Sequence, residues 1–372
     1  MKMISKQIIN KFKNQFRGSL LGFIGLLGLL FSSFALAEPV LDVYIGTNYM
    51  AKATIQRLEK ECHCRVEQNY FNANEEMLAK IAAGATGYNV IVPTSYAVTE
   101  LAKMGKLKPL DLSRLPNLKY IDKHFLNQPY DPGNKYSVPY AYTPVFLAYN
   151  KEKLKELGIV PNTWAVIFEP KYLKKLKGRV TVFNSSRNVF AAALLYLGKN
   201  PNSTNSDDLS AAMAVIEKAS PYWTKYDSDS YYRSLLRGDI WLSMSYSIDI
   251  FKTIQDAKAS HSPIKIGAML QKEGNMYELD NMVIPVFTPD ENFSYEFINN
   301  ALSPKSAYEL SVYTGASIPN IEALKKLTLA VIDTDWIYPK DMSKMHVFSA
   351  YDPKTRILVN TLWTQIQMQK IN

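Results

Sequence analysis

The hydrophobic positions of the chain alternate between short apolar runs and longer segments with helical spacing. Residues 40–45 form a run rich in β-formers that stops at Gly46. Ala51, Ile55 and Leu58 then recur at i, i+4 and i+7, which is the spacing of a helix with one buried face. Thr47 or Asn48 is suited to N-cap this helix. The pattern predicts a strand followed directly by a helix.

The same order of strand and helix returns along the rest of the chain. Short apolar runs predict further strands at 65–71, 89–93, 146–150, 180–183, 240–245 and 266–269. Helical spacing and glycine stops predict helices at 74–84, 94–105, 151–157, 188–197, 208–219, 231–237 and 250–257. Two α/β halves therefore follow one another, without a repeat of sequence or a low-complexity linker.

The first 37 residues have the three-part pattern of a secretory signal peptide. Five basic residues without an acidic one precede an apolar run at 20–31, and Ala35-Leu36-Ala37 supplies the small-residue exit. We predict cleavage after Ala37 and a mature chain in the periplasm. A retained membrane anchor is the alternative, because the apolar run approaches the length that spans a bilayer.

The signal segment changes what the charge of the chain indicates. The chain has 43 basic and 34 acidic residues, a net charge of +9, and five of those nine charges lie in residues 1–37. The only dense basic cluster of the mature part, at 171–177, is typical of a solvated surface. We therefore expect no nucleic-acid partner.

The sequence offers little chemistry for catalysis. It contains no G-x-S-x-G elbow, no P-loop and no H-E-x-x-H motif. Cys62 and Cys64 flank His63, and either they end a helix and open a buried strand, or they form a redox-sensitive pair. The other histidines have no ligand spacing with them. We expect no catalytic residue, no metal and no cofactor, and hence a protein that is not an enzyme.

Polar and aromatic residues collect where the predicted strands end. In open α/β sheets ligands bind beyond the carboxyl ends of the strands. Aromatic rings with a few carboxylates suit an organic cation, because rings pack on methylene groups and attract ammonium, and carboxylates accept its N–H bonds. The residues at these positions are Thr47, Asn48, Tyr49, Thr94, Ser95, Tyr96, Ser185, Arg187, Asn188, Tyr246, Asp249, Tyr277, Glu278 and Asp280.

Several longer motifs resemble a known family in order and spacing. They include Asn74-x-x-Met77, the run 88–96 (YNVIVPTSY), 126–132 (LNQPYDP), 136–140 (YSVPY), Thr163-Trp164, 272–274 (KEG) and 279–285 (LDNMVIP). From about Leu41 to its C-terminus the chain resembles the periplasmic spermidine/putrescine-binding proteins of ABC transporters. The resemblance implies the two-lobed α/β fold of type II periplasmic binding proteins, with crossover strands near 142–144 and near Asp280. It implies lobe 1 at 38–143 and 281–322, lobe 2 at 144–280 and 323–372, and a ligand held between them.

The cleft motifs of that family are altered in this chain. The first strand exit, normally aromatic-Thr-Glu-Tyr, is Gly46 to Tyr49, and an Asp-x-x-Glu motif is replaced by 185–188 (SSRN). A clamping tryptophan is replaced by Tyr246, and Trp-x-Asp has become 278–280 (ELD). The predicted site residues are Thr47, Asn48, Tyr49, Thr94, Tyr96, Ser185, Asn188, Tyr246, Asp249, Glu278 and Asp280.

Asp280 is the expected principal partner of an ammonium group, with Glu278 and Asp249 as further acids. The resemblance implies a monomeric receptor that captures a polyamine and delivers it to an ABC transporter permease. Because three acids of the family are missing and Arg187 has appeared, a shorter amine, an amino acid or another zwitterion is an alternative ligand. A sensing or surface-interaction protein with the same fold is the alternative function.

Overall fold

The strands and helices predicted from the apolar pattern recur in the computed structural model, which describes residues 38–47, 49–71, 74–327 and 334–369. The predicted signal peptide and Asn48 lie outside the described residues. The strands are β1 (Val40–Gly46), β2 (Arg65–Phe71), β3 (Val90–Ile91), β4 (Ser137–Asn150), β5 (Val180–Val182), β6 (Lys225–Tyr226), β7 (Leu242–Tyr246), β8 (Ile266–Met269), β9 (Asn275–Val283) and β10 (Met345–Val347).

Helices follow most of these strands, as the alternating pattern predicts. They are α1 (Lys52–Cys62), α2 (Asn74–Ala82), α3 (Ser95–Lys103), α4 (Lys151–Glu156), α5 (Ala165–Phe168), α6 (Pro170–Leu176), α7 (Ser186–Tyr196), α8 (Ser206–Ala219), α9 (Tyr231–Arg237), α10 (Ser247–Ala259), α11 (Glu291–Ala301), α12 (Pro304–Thr314), α13 (Ile321–Leu324) and α14 (Pro353–Gln369). In the described part of the chain, no helix is long and apolar enough to cross a membrane.

Two long antiparallel strands, β4 and β9, join the two halves of one sheet. The strand order is β2-β1-β3-β9-β4-β7-β5-β6, with β10 beside β9 and β8 beside β4. The first half of β4 pairs with β9, from Ser137 opposite Val283 to Pro144 opposite Tyr277. Its second half pairs with β7 and β8. These are the two crossover strands that the resemblance implies, and β4 is longer than the predicted strand at 146–150.

The hydrophobic core is divided in the same way as the sheet. We call lobe 1 the part packed around β1, β3 and the end of β9, with Val43, Val90 and Leu279 fully buried. Lobe 2 is the part packed around β5, β7 and α7, with its own core. The predicted lobe boundaries stay a prediction, and within 323–372 the structure packs Met345 with lobe 1 and Phe348 with lobe 2.

Two short polar segments precede or begin helices of lobe 1. Helix α1 begins at Lys52 with Ala51 as its N-cap residue, so the expectation that Thr47 or Asn48 caps it is wrong. The reason is that five residues, 47–51, separate the end of β1 from Lys52, so Thr47 lies too far along the chain from the first turn of the helix to cap it. Asn74 is the first residue of α2, and its side-chain oxygen accepts a hydrogen bond from the Thr94 amide at 3.1 Å. Thr47 and Asn74 therefore both leave a polar side chain at the carboxyl edge of the sheet.

The cysteine segment joins helix α1 to strand β2. Cys62 is the last residue of α1, and the fully buried Cys64 directly precedes β2, as one of the two interpretations predicts. Between them His63 has a left-handed backbone conformation, with φ of 49°. The two sulfur atoms form a disulfide bond. The segment lies at the end of β2 away from the carboxyl edge of the sheet.

Candidate ligand-binding cleft

A cavity of about 650 Å³ opens where lobe 1, lobe 2 and the two crossover strands meet. Seven of the eleven predicted site residues line it: Thr47, Tyr49, Thr94, Tyr246, Asp249, Glu278 and Asp280. The remaining lining residues are Gly46, Thr143, Tyr232, Ile248, Lys252, Tyr313 and Thr314. The carboxyl ends of strands from both halves of the sheet thus face one space, as expected for an open α/β sheet.

The floor of the cavity carries two carboxylates from one strand. Side chains of a strand alternate between its faces, so Glu278 and Asp280 of β9 point to the same side and Leu279 points into the core of lobe 1. Thr143 of β4 is paired with Glu278 across the sheet and also lines the cavity. Consecutive residues rise by about 3.3 Å along a strand, so the two acids are about 7 Å apart along β9.

Asp280 is held in place by a chain of tyrosines from lobe 1. The Tyr49 hydroxyl donates a hydrogen bond to its Oδ2 at 2.5 Å, and the Tyr140 hydroxyl donates to the Tyr49 carbonyl at 2.7 Å. Burial raises the pKa of Asp280 to about 7, although the hydrogen bond from Tyr49 favours the ionised form. Asp280 is therefore oriented but costly to ionise while no cation is beside it.

Glu278 is less well satisfied than Asp280. Its Oε2 is enclosed and has no hydrogen-bond partner among the described residues. Burial and then the charge of Asp280 raise the pKa of Glu278 to about 8, while the positive charge of Arg187 and a hydrogen bond from Asn188 act in the opposite direction. Neither Glu278 nor Asp280 forms an ion pair within the described ranges.

Two more enclosed oxygens close to these acids have no partner in the described part of the chain. They are Oδ1 of Asn188 and Oγ1 of Thr94. Asn188 is 5% exposed, and its Nδ2 lies 3.4 Å from the Tyr246 hydroxyl. Buried polar atoms are normally hydrogen-bonded, so these oxygens indicate a place for a donor that is not part of the protein.

Lobe 2 contributes an aromatic wall and a third acid. The Tyr246 ring stacks on Phe183 with centroids 4.4 Å apart. Asp249, in the first turn of α10, accepts a hydrogen bond from the Tyr231 hydroxyl at 2.5 Å, and burial raises its pKa. Burial, and then the charges of Glu278, Asp249 and Asp280, raise the pKa of Tyr246, and all three acids line the cavity together with this ring.

Four of the predicted site residues do not line the cavity, or are not described. Asn48 lies outside the described residues. Ser185 is the N-cap residue of α7 and accepts a hydrogen bond from the Asn188 amide at 3.3 Å. Asn188 touches the site through Tyr246, whose hydroxyl lies 3.4 Å from its Nδ2. Tyr96 donates a hydrogen bond to the exposed Glu75 at 2.7 Å, at the rim beside Glu278.

Several residues that line the cavity were not among the predicted site residues. The sequence pattern does not indicate some of them, whereas helical spacing indicates another. Tyr313 and Thr314 come from the last turn of α12, in a segment without a strand exit, and only the packing of the lobes brings them to the cavity. Lys252 follows Asp249 by three residues on a predicted helix, so helical spacing would have placed it on the same face. Its ammonium pairs with Asp256.

A cleft between two lobes, with aromatic walls and two carboxylates on its floor that form no ion pair within the described residues, is the kind of site that binds a small molecule. The profile of the family described as bacterial extracellular solute-binding protein matches residues 53–339. The chain belongs to this family, whose members are substrate-binding transport proteins that act outside the cytoplasm and deliver a small molecule to a transporter permease.

Individual relatives are similar over most of the chain. The putrescine/cadaverine-binding protein of Pseudomonas aeruginosa is 37% identical over 90% of this chain and 95% of its own length. The putrescine-binding periplasmic protein PotF of Escherichia coli is 28% identical over 93% and 96%. The solved structure of the spermidine/putrescine ABC transporter substrate-binding protein PotD from Streptococcus pneumoniae matches with a TM-score of 0.80 at 25% identity, over 89% of this chain and 99% of that one. The fold is that of the type II periplasmic binding proteins, as the resemblance implied.

Proposed function

We propose that this protein captures a polyamine of the putrescine or spermidine kind and delivers it to the permease of an ABC transporter. The observation that carries the proposal is the pair of acids on β9. Glu278 and Asp280 share one face of the strand, lie in the cleft, and have no cationic partner in direct contact among the described residues.

The electrostatics of this pair favour an ammonium ligand. Burial raises the pKa of Asp280 to about 7 and that of Glu278 to about 8, so the ionised form of each acid is unfavourable in the cleft while no cation is in contact with it. An ammonium group restores the charge balance and donates up to three hydrogen bonds. The unpartnered oxygens of Glu278, Asn188 and Thr94 are acceptors suited to such a donor.

The aromatic lining suits the carbon chain of the same ligand. Tyr49, Tyr246, Tyr232 and Tyr313 line the cavity, together with Ile248. Aromatic faces pack on methylene groups and attract cations, with a contribution of about 0.5–2 kcal/mol for a well-placed cation. In an amine with an aliphatic chain, the methylene groups can pack on the aromatic walls and the ammonium groups can bind the two carboxylates of the floor.

Several finer assignments belong to the same proposal. We infer a monomer in the periplasm, released by cleavage after Ala37, with the predicted site residues as ligand contacts and no nucleic-acid partner. The relatives support the polyamine class, because the Pseudomonas aeruginosa and Escherichia coli proteins described above are putrescine-binding proteins.

Isothermal titration of the mature chain (38–372), stripped of bound ligand by unfolding and refolding, tests this proposal. We expect heat with putrescine, cadaverine or spermidine and none with neutral sugars or acidic amino acids. Absence of binding to every polyamine, in a sample whose circular dichroism shows a folded protein, would contradict the polyamine assignment.

A further inference from the structure

The cysteine segment at residues 62–64 carries chemistry that the proposed function does not use. Cys62 and Cys64 form a disulfide bond across one intervening residue, His63. They are the two cysteines of the chain, so both of its sulfur atoms with redox chemistry lie in this segment. The segment joins α1 to β2 at the end of β2 away from the carboxyl edge of the sheet, and therefore away from the cleft.

The bond closes a very short loop, so it adds little to the stability of the fold. In the chain-entropy account a disulfide stabilises by restricting the unfolded chain, and the effect grows with the length of the closed loop. The two elements beside the bond are held by other contacts. Leu58 of α1 is 2% exposed, and β2 pairs with β1 along its whole length, from Arg65 opposite Val40 onward. The fold is therefore compatible with both the oxidised and the reduced pair.

The two cysteines differ in how well a reagent can reach them. Cys62 is half-buried and the adjacent His63 is exposed, whereas Cys64 has no exposed surface. Thiol–disulfide exchange begins when a thiolate attacks one sulfur of the bond, and access decides which sulfur reacts. Sγ of Cys62 is therefore the sulfur that an incoming thiolate reaches first.

Hydrogen bonds connect the pair to the last turn of α1. The Cys64 amide donates to the Glu59 carbonyl at 3.3 Å, and the Val66 amide donates to Oε1 of Glu59 at 3.2 Å. Glu61, in the same turn, lines a second cavity of about 500 Å³ together with residues of α11. A change at the cysteine pair therefore acts on this turn and on one wall of the second cavity.

We propose that Cys62–Cys64 is an exchangeable disulfide, which a dithiol oxidoreductase outside the cytoplasm reduces reversibly. A thiolate of the reduced oxidoreductase attacks Sγ of Cys62 and forms a mixed disulfide, while the Cys64 sulfur leaves with the electron pair of the broken bond and takes up a proton. The second thiolate of the oxidoreductase then attacks its own sulfur in the mixed disulfide, and Cys62 leaves and takes up a proton. The chain gains two electrons and two protons, and the oxidoreductase becomes a disulfide.

Reduction of the folded protein tests the proposal directly. The oxidised mature chain (38–372) is treated with excess dithiothreitol, or with reduced thioredoxin as the dithiol protein, and free thiols are alkylated and counted by mass spectrometry. We expect two thiols per chain while the circular dichroism of the folded protein is kept, at a rate with dithiothreitol within about tenfold of that of the urea-unfolded chain. A slower reaction, or failure of thioredoxin to reduce the folded chain, would overturn the proposal.

Two single-cysteine variants test which sulfur is attacked. Cys64→Ala leaves the half-buried Cys62, and Cys62→Ala leaves the buried Cys64, so each variant is the matched control of the other. Cys62 should form a mixed disulfide with a pyridyl disulfide reagent at least about tenfold faster than Cys64 does. Equal rates, or the reverse order, would contradict attack at Cys62. If either variant fails to fold, the reduction rate of the wild-type chain still decides the outcome.

The stability of the protein without the bond separates an exchangeable disulfide from a structural one. The double variant Cys62→Ser, Cys64→Ser should melt within about 5 °C of the oxidised wild type, because the bond closes so short a loop. Amide hydrogen exchange of the reduced chain should rise at residues 59–66 and stay unchanged elsewhere. A larger loss of melting temperature, or faster exchange across lobe 1, would show that the bond holds the fold and would overturn the proposal. Neither result depends on the polyamine function, which a failure here leaves intact.

Discussion

The two acids of β9 lie two residues apart on the same face of one strand, yet their surroundings differ. Asp280 faces lobe 1 and accepts a hydrogen bond from Tyr49, which Tyr140 holds in turn. Glu278 has an enclosed oxygen without a partner in the described residues and feels the charge of Arg187 from lobe 2. The Asp280 side chain is therefore held in one orientation by a hydrogen bond. Glu278 has no such hydrogen bond at Oε2 within the described residues, and its pKa depends on the charges of Asp280 and Arg187.

The difference between the two acids predicts that neutralising each of them lowers the affinity for putrescine by a different factor. Asp280→Asn should weaken putrescine binding by more than tenfold, that is by more than about 1.4 kcal/mol, because the anchoring charge is lost while Tyr49 keeps an acceptor. Glu278→Gln should cost less, because Arg187 already offsets part of that charge. Calorimetric titration measures both.

Glu156→Gln is a suitable control for these variants, since the side chain of Glu156 is 61% exposed on α4 and far from the cavity in the chain. It should bind as the wild type does. If Glu278→Gln lowered the affinity for putrescine more than Asp280→Asn does, Glu278 and not Asp280 would be the principal partner of the ammonium group.

The raised pKa values of the two acids predict that binding depends on pH near neutrality. Above pH 8 both groups, with pKa values of about 7 and about 8, are ionised and ready for an ammonium. Below pH 7 both are protonated in the empty cleft, so the ligand must displace protons and the affinity falls. Between pH 8.5 and 6 we expect a loss of about tenfold or more.

Titrations near pH 7 in buffers of different ionisation enthalpy should show protons released on binding. An affinity that does not change between pH 6 and 8.5 would contradict the presence of these acids in direct contact with the ligand.

The same acids predict an effect on the stability of the ligand-free protein. A carboxyl group whose pKa is higher in the folded than in the unfolded state binds more protons when folded, so stability falls as pH rises between about 4 and 8. Asp280→Asn removes one such group and should raise the melting temperature of the stripped protein at pH 8 by about 2 °C or more.

This gain should shrink at pH 5, where the wild-type Asp280 is protonated. A lower melting temperature of Asp280→Asn at both pH values, measured by calorimetry, would show that the Asp280 carboxylate stabilises the empty protein rather than straining it.

The smallest expected effect concerns the tyrosine that orients Asp280. Tyr49→Phe removes the hydrogen bond to Oδ2 and should raise the pKa of Asp280 further. At pH 7 we expect binding to weaken about two- to fivefold, a free-energy change of about 0.4–1 kcal/mol that lies at the low end of the net contribution of one hydrogen bond, because the Asp280 carboxylate itself stays in place. At pH 8.5 the loss should be smaller, and Tyr313→Phe, which keeps an aromatic wall, serves as the comparison.

Much of the fold and part of the site follow from local patterns. The spacing of apolar residues identified β1, β2, β5, β7 and β8, because burial on a sheet leaves a local signature. Seven of the predicted site residues line the cavity: five lie at or just beyond the ends of β1, β3 and β7, whereas Glu278 and Asp280 lie inside β9 and were singled out by the resemblance of their motif. The full length of β4 was missed, because Pro139 and Pro144 interrupt the pattern and their missing N–H groups matter only in the context of the neighbouring strands.

The sequence by itself determined the α/β alternation, the strand exits and the residue types available for a cation, since each depends on near neighbours in the chain. Only the tertiary structure decided how those residues meet. The hydrogen bond between Tyr49 and Asp280 joins residues 231 positions apart, and the acceptors that saturate Arg187 come partly from residues 349 and 351. Such contacts depend on the packing of distant segments, and they fix both the charge and the free hydrogen-bonding groups of the cleft.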